Sequence, residues 1–184
     1  MRFTKNSVLW LCAFVFLILT GSVRAQSKEY QIKAAFLFNF AQFVDWPSAA
    51  FANTNAPFCI GVLGDDPFEG ALDATIQDED IGNRKIMIER SQNVADLKNC
   101  QMIFVSKSEK GHIPEILSEL DSRPILTVSE VQGFAQRGGS INFYLSGPKV
   151  RFEINPSAAQ SDGLKISAQL LSLGKIVQSS KENK

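Results

Sequence analysis

The chain has 184 residues, with 19 basic and 19 acidic side chains and a formal charge of zero. That balance, which turns acidic once a basic leader is removed, argues against nucleic-acid binding, which demands a basic patch, and a hydrophobic fraction of 45 % is enough to build a core.

Residues 1–25 read as a secretory signal peptide. Arg2 and Lys5 give a basic start, Val8–Leu19 is an unbroken apolar run, and Val23-Arg24-Ala25 ends it with small residues around Arg24. The apolar run is shorter than the roughly 20 residues a membrane span needs. Cleavage after Ala25 and a periplasmic location are therefore expected, with no membrane insertion of what remains. Cleavage takes away Arg2, Lys5 and Arg24, so the remainder is net acidic, and it takes away Cys12, so two cysteines are left, Cys59 and Cys100. In an oxidising compartment such a pair reads as a disulfide, the alternative being two buried thiols. The bridge would close a loop of about 40 residues and contribute roughly 3–4 kcal/mol.

A single domain is expected over 28–178, followed by a polar tail over 179–184. Residues 28–45 read as a helix. Ile32, Phe36, Leu37, Phe40, Phe43, Val44 and Trp46 fall on an arc of about 180° at helical spacing, and Pro47 stops the helix. Phe38 lies off that arc, among Gln31, Gln42 and Asp45, and is left as a candidate contact. "FCIGVLG" (58–64) is an apolar strand. Asp65 or Asp66 caps the following helix, with Pro67 in its first turn. The same two aspartates, with Ser106, sit at strand carboxyl ends, where α/β proteins place ligands, so they also form a candidate ligand crevice.

"RKIMIER" (84–90) alternates as a strand and "QMIFVS" (101–106) is a buried one. A helix runs from near Gly111 to before Pro124, and "PILTVS" (124–129) is another strand. "SINFYL" and "KVRFEI" form a hairpin around Gly147, and "NPSAAQSDGLKISAQLLSLGKIV" reads as a closing helix pair. Strands alternating with helices define the class: α/β, one three-layer domain with a mostly parallel central sheet, an edge hairpin and flanking helices.

No catalytic constellation is visible. His112 is the lone histidine, and there is no metal-ligand spacing, no G-x-S-x-G and no C-x-x-C. No cofactor is expected, and a binding protein is favoured over an enzyme. The informative feature is apolar surface. At about 100° per residue the last helix carries two arcs. Leu164, Ala168 and Leu171 fall on one. Ile166, Leu170, Leu173 and Val177 fall on the other, about 180° away. If one arc faces the sheet, the other faces a partner or a second copy of the chain.

Taken together, "KAAFLFNFAQFVDWP", "IGVLGDDPF", the cysteine before "QMIFVS", "ILTVSEVQGFAQRGGSINFYL" and "FEINPSAAQSDGLKISAQLL" resemble the YfiR-like family of periplasmic proteins over Tyr30 to Val177. The resemblance implies regulation. Such members bind the periplasmic sensor part of an inner-membrane diguanylate cyclase and hold it inactive, which lowers cyclic di-GMP and biofilm formation. They form homodimers and respond to the redox state of their disulfides. Cys59 and Cys100 lie where the family often carries a pair, and a second pair found in some members has no counterpart after Gln101. Because the family also occurs beside histidine kinases, a small-ligand-binding module feeding another sensor is the second reading. The candidate partner or dimer residues are Phe38, Ile166, Leu170 and Leu173, with Glu153 and Asn155 beside the last helix.

Overall fold

The computed structural model describes residues 28–180; the expected signal peptide and the last four residues of the tail lie outside the described residues. In chain order the elements are helix α1 (28–42), β1 (Val44–Asp45), β2 (Phe58–Leu63), α2 (Ala71–Ile76), β3 (Asp80–Ile81), β4 (Arg84–Ser91), β5 (Met102–Val105), α3 (Ile113–Leu120), β6 (Leu126–Ser129), β7 (Ile141–Ser146), β8 (Lys149–Ile154), α4 (Pro156–Ser161), β9 (Lys165–Ile166), α5 (Ala168–Leu173) and β10 (Lys175–Ile176).

One eight-stranded sheet runs in the order β10-β8-β7-β6-β5-β2-β4-β3. The five strands from β7 to β4 are parallel, the hairpin partner β8 is antiparallel to β7, and β3 is antiparallel to β4. β10 adds outside the hairpin, parallel to β8. The inner strands β2, β5 and β6 are buried throughout because helices cover both faces.

Alternation along these strands separates two cores. Phe58, Ile60, Val62, Met102, Phe104, Leu126 and Val128 point to the face covered by α1, α2 and the C-terminal segment. Cys59, Leu63, Ile103 and Val105 point to the face covered by α3 and the short 3-10 helix Val94–Leu97. The expected three-layer α/β architecture is therefore the one observed.

Helix α1 lies on the hairpin through its phenylalanines. Phe40 packs edge-on to Phe152 with ring centres 5.0 Å apart, and Phe36 does so at 5.3 Å. The helix stops earlier than its periodicity predicts. Phe43 N–H donates to the Asn39 and Phe40 carbonyls and Trp46 Nε1 donates to the Ala41 carbonyl, folding the last turn on itself. Val44 and Asp45 then leave the helix to pair antiparallel with β9, Val44 opposite Ile166. Phe38, expected on a polar face, is half-buried and packs against the core. Ile32, expected in the core arc, is exposed.

The C-terminal segment departs most from the sequence reading. It is not a helix pair but two single-turn helices alternating with two short strands. Asn155 caps α4, and Gly163, at φ 76°, takes the left-handed conformation that ends it. The chain then extends into β9, Ser167 caps α5, and β10 follows. The two helical arcs drawn through Leu164–Val177 therefore have no structural counterpart. Ser179 and Ser180, assigned to the tail, are tied to the fold: Asn155 Nδ2 donates to Ser179 Oγ, and Ser180 N–H to the Gln136 carbonyl.

Candidate functional site

The carboxyl ends of the parallel strands bring Asp65, Asp66 and Ser106 near one another, as expected, but their polar groups serve the fold. Asp66 Oδ1 accepts from Phe68 N–H at 2.8 Å in a local turn that starts the path to α2, and its Oδ2 pairs with Arg90 Nε at 2.6 Å. Arg90 also reaches Asp73 at 2.5 Å. Asp65 is exposed and its N–H donates to Ser108 Oγ at 3.1 Å. Ser106 is buried, and its N–H donates to the Leu63 carbonyl. The turn after Ser106 closes against Gly64, where an added Cβ would stand 2.3 Å from Ser108 Oγ. The notch between β2 and β5 is thus filled by the protein itself. His112 is exposed at the entry to α3, 3.3 Å from Glu109.

Beside this edge lies a cluster that the sequence reading missed. Lys33 of α1 is buried and forms ion pairs with Glu29 and with Glu130, the residue after β6. Tyr30 Oη donates to Glu130 Oε1 at 2.8 Å, and Lys33 Nζ sits 4.4 Å from the Tyr30 ring centre. Burial first, then the hydrogen bond to Glu130, raise the Tyr30 phenol well above its ordinary range. The available signal was Lys33 itself, a charge set inside the apolar stripe of Tyr30, Ala34, Leu37 and Phe40.

The residues expected to meet a partner divide into two groups. Ile166 is 8 % exposed and Leu170 only 2 %, so both belong to the core rather than to a surface. Ile166 is held inward by the β1–β9 pairing, and Leu170 by the cap of α5, where Ser167 Oγ accepts from its N–H. Asn155 is fully buried: Oδ1 accepts from Ala158 N–H at 3.1 Å, and Nδ2 donates to the Ala135 carbonyl at 2.8 Å. Glu153 accepts from Gln136 Nε2 at 2.7 Å and from Lys175 Nζ at 2.8 Å, fastening β10 to β8. Burial pushes Glu153 up, but the hydrogen bonds from Lys175 and Gln136 outweigh it and hold the carboxyl below its usual range.

Leu173, by contrast, is 61 % exposed, and Ile176 beside it on β10 is 51 % exposed. Together they make an apolar C-terminal edge. A second apolar feature, also missed, is the tip of the hairpin. Tyr144 and Leu145 are exposed there, and Leu145, Pro148 and Val150 line a groove of about 360 Å³ against Ile32 and the start of α1.

Cys59 and Cys100 form the expected disulfide, joining β2 to the chain just before β5 at the end of the sheet opposite Asp65. Among the described residues, no helix is long and apolar enough to cross a membrane. A mostly parallel sheet stapled at one end, with apolar side chains left over at its C-terminal edge, places the protein among disulfide-bonded α/β domains. Residues 30–175 match the YfiR/HmsC-like family, and the chain belongs to that family, whose members are periplasmic regulators. Among curated proteins the chain has no match.

Proposed function

We propose that the protein is a periplasmic repressor that binds the sensor region of an inner-membrane diguanylate cyclase and holds the cyclase inactive, so lowering cyclic di-GMP and biofilm formation. The observation that carries this reading is the family match over nearly the whole described chain. The exposed Leu173 and Ile176 support it, because neighbouring apolar side chains left exposed at a sheet edge suit recognition of another protein. The assigned role is binding, not catalysis, and the active form is a homodimer.

The energetics are those of a shifted equilibrium. A repressor that prefers the inactive cyclase moves its population by the difference in affinity for the two states. Moving from mostly active to mostly inactive takes about 5.5 kcal/mol of that difference. Fully burying one leucine or isoleucine contributes roughly 1.5–3 kcal/mol. Leu173 is 61 % and Ile176 51 % exposed, so their burial on each of two protomers supplies part of that difference. The small-ligand alternative is less well supported, since Asp66 is engaged by Arg90 and the notch at Gly64 is filled.

The test is capture from an envelope extract by the tagged protein and by its Leu173→Glu variant. Recovery of a diguanylate cyclase by the first and not by the second is expected. If neither recovers an inner-membrane signalling protein, with or without oxidant, the repressor reading fails.

A further inference from the structure

Behind the disulfide lies a carboxylate with no evident task. Glu89 of β4 stands opposite Gly61 of β2, on the same face of the sheet as Cys59. It is half-buried, and its Oε2 lies 3.7 Å from Cys100 Sγ. A disulfide sulfur has no proton to give, so this contact is an anion against sulfur without a donor. Among the described residues Glu89 has no ion-pair partner, although Lys85 and Arg90 on the same strand both do. Gly61 lies against the bridge, since a Cβ added there would stand 3.3 Å from Leu97 Cδ1 and 3.4 Å from Cys100 Sγ.

The ligand atoms of Cys59, Glu89 and Cys100 all lie within 4.8 Å of one another. We infer that reduction of the Cys59–Cys100 bridge converts this cluster into a site for a thiophilic divalent cation such as zinc, with two thiolates and the Glu89 carboxylate as ligands. A dithiol reductant supplies the two electrons and two protons that cleave the S–S bond, becoming a disulfide itself. The cation then displaces the two thiol protons to solvent. Donors around a tetrahedral zinc stand about 3.3–3.8 Å apart, given bonds of about 2.0–2.3 Å. The sulfurs therefore separate by less than about 2 Å from their bonded distance. Three protein ligands leave the fourth position to water. Two thiolates and a carboxylate packed this closely repel one another, and the cation removes that repulsion. The sequence alone hides the set, because its members come from β2, β4 and the loop before β5. This inference stands apart from the proposed repressor role and does not depend on it.

The test uses the protein reduced with a phosphine, freed of reductant without air and titrated with cobalt(II) as a spectroscopic stand-in for zinc. One equivalent is expected to give a sulfur-to-cobalt charge-transfer band with tetrahedral ligand-field bands, and the oxidised protein is expected to give neither. Glu89→Gln is expected to weaken binding at least tenfold, since even a residue that only supports a ligand is worth about 10–100-fold, and Cys100→Ser to abolish the charge-transfer band. Circular dichroism follows the fold in parallel. If reduction unfolds the chain, one equivalent of cation is expected to restore the native spectrum. Absence of the band, failure of the cation to restore the fold, or equal affinity in Glu89→Gln overturns the inference.

Discussion

The centre of the sheet and the C-terminal segment are held by different means. β2 and β5 are continuous apolar runs, β6 alternates apolar residues with Thr127 and Ser129, all three are buried on both faces, and Cys59–Cys100 staples them at one end. The stretch from Asn155 to Ser180 is made of elements of two to six residues, and polar side chains fasten much of it: the Asn155 amide, the Glu153–Lys175 pair and the Ser167 cap. The first region is rigid by burial, whereas the second depends on a few hydrogen bonds. It is also the second that carries the exposed Leu173 and Ile176. An interaction surface built on a segment with few anchors can adjust to a partner without disturbing the sheet.

This contrast can be broken most severely at Ile166, where the segment reaches back into the core. Ile166→Glu buries a charge with no partner and is expected to destabilise by more than about 3 kcal/mol, read as loss of cooperative unfolding in a denaturant titration. In the centre, the double variant Cys59→Ser, Cys100→Ser is expected to lose about 2–4 kcal/mol while remaining folded. If the bridge also gates repression, that variant binds the cyclase sensor region more weakly, and unchanged affinity rules out gating.

Asn155→Ala removes a helix cap and the amide's bonds to the Ala135 carbonyl and Ser179 Oγ, with an expected loss of about 2 kcal/mol. Hydrogen exchange is expected to quicken over α4–β10 and to stay slow over β2 and β5; uniform quickening would show that the segment is not a separate unit.

Asp162 gives a smaller effect with a defined sign. Burial, aided by the neighbouring Asp121 and opposed by a hydrogen bond at Ser122, pushes it up to about 6. The folded state therefore holds the proton more tightly than the unfolded chain. Its contribution is fully present below the ordinary aspartate range, near pH 4, and is lost as pH rises through about 6. Asp162→Asn is expected to flatten that decline and to be about 1 kcal/mol more stable at neutral pH, after allowance for solvent screening. Leu173→Glu, on the exposed edge, is expected to leave the unfolding free energy within about 0.5 kcal/mol of the parent while abolishing capture of the partner.

The legibility of the sequence follows the same division. The inner strands declare themselves because a strand buried on both faces is an uninterrupted apolar run, and the compartment implied by the leader pairs the two cysteines. The closing segment misleads because its spacing matches a helix across Gly163, while non-local events decide it: β1 arriving to pair with Ile166, and β8 offering its edge to Lys175 and Ile176. Of the candidate partner residues, Leu173 is the one at an exposed position. Phe38 and Glu153 are half-buried, and Ile166, Leu170 and Asn155 are interior.

The buried Lys33–Glu130 pair has a consequence for how the first helix is seated. A helix with four phenylalanine or leucine side chains at Phe36, Leu37, Phe38 and Phe40 can lie on an apolar sheet in several ways of similar energy. Sliding it by one turn would move Lys33, together with its helix neighbour Glu29, about 5.4 Å along the axis and strand the buried Glu130 carboxylate without its counter-charge, at a cost of several kcal/mol. The aromatic residues supply adhesion that is nearly indifferent to position; one lysine and one glutamate select which of the possible seatings is the native one.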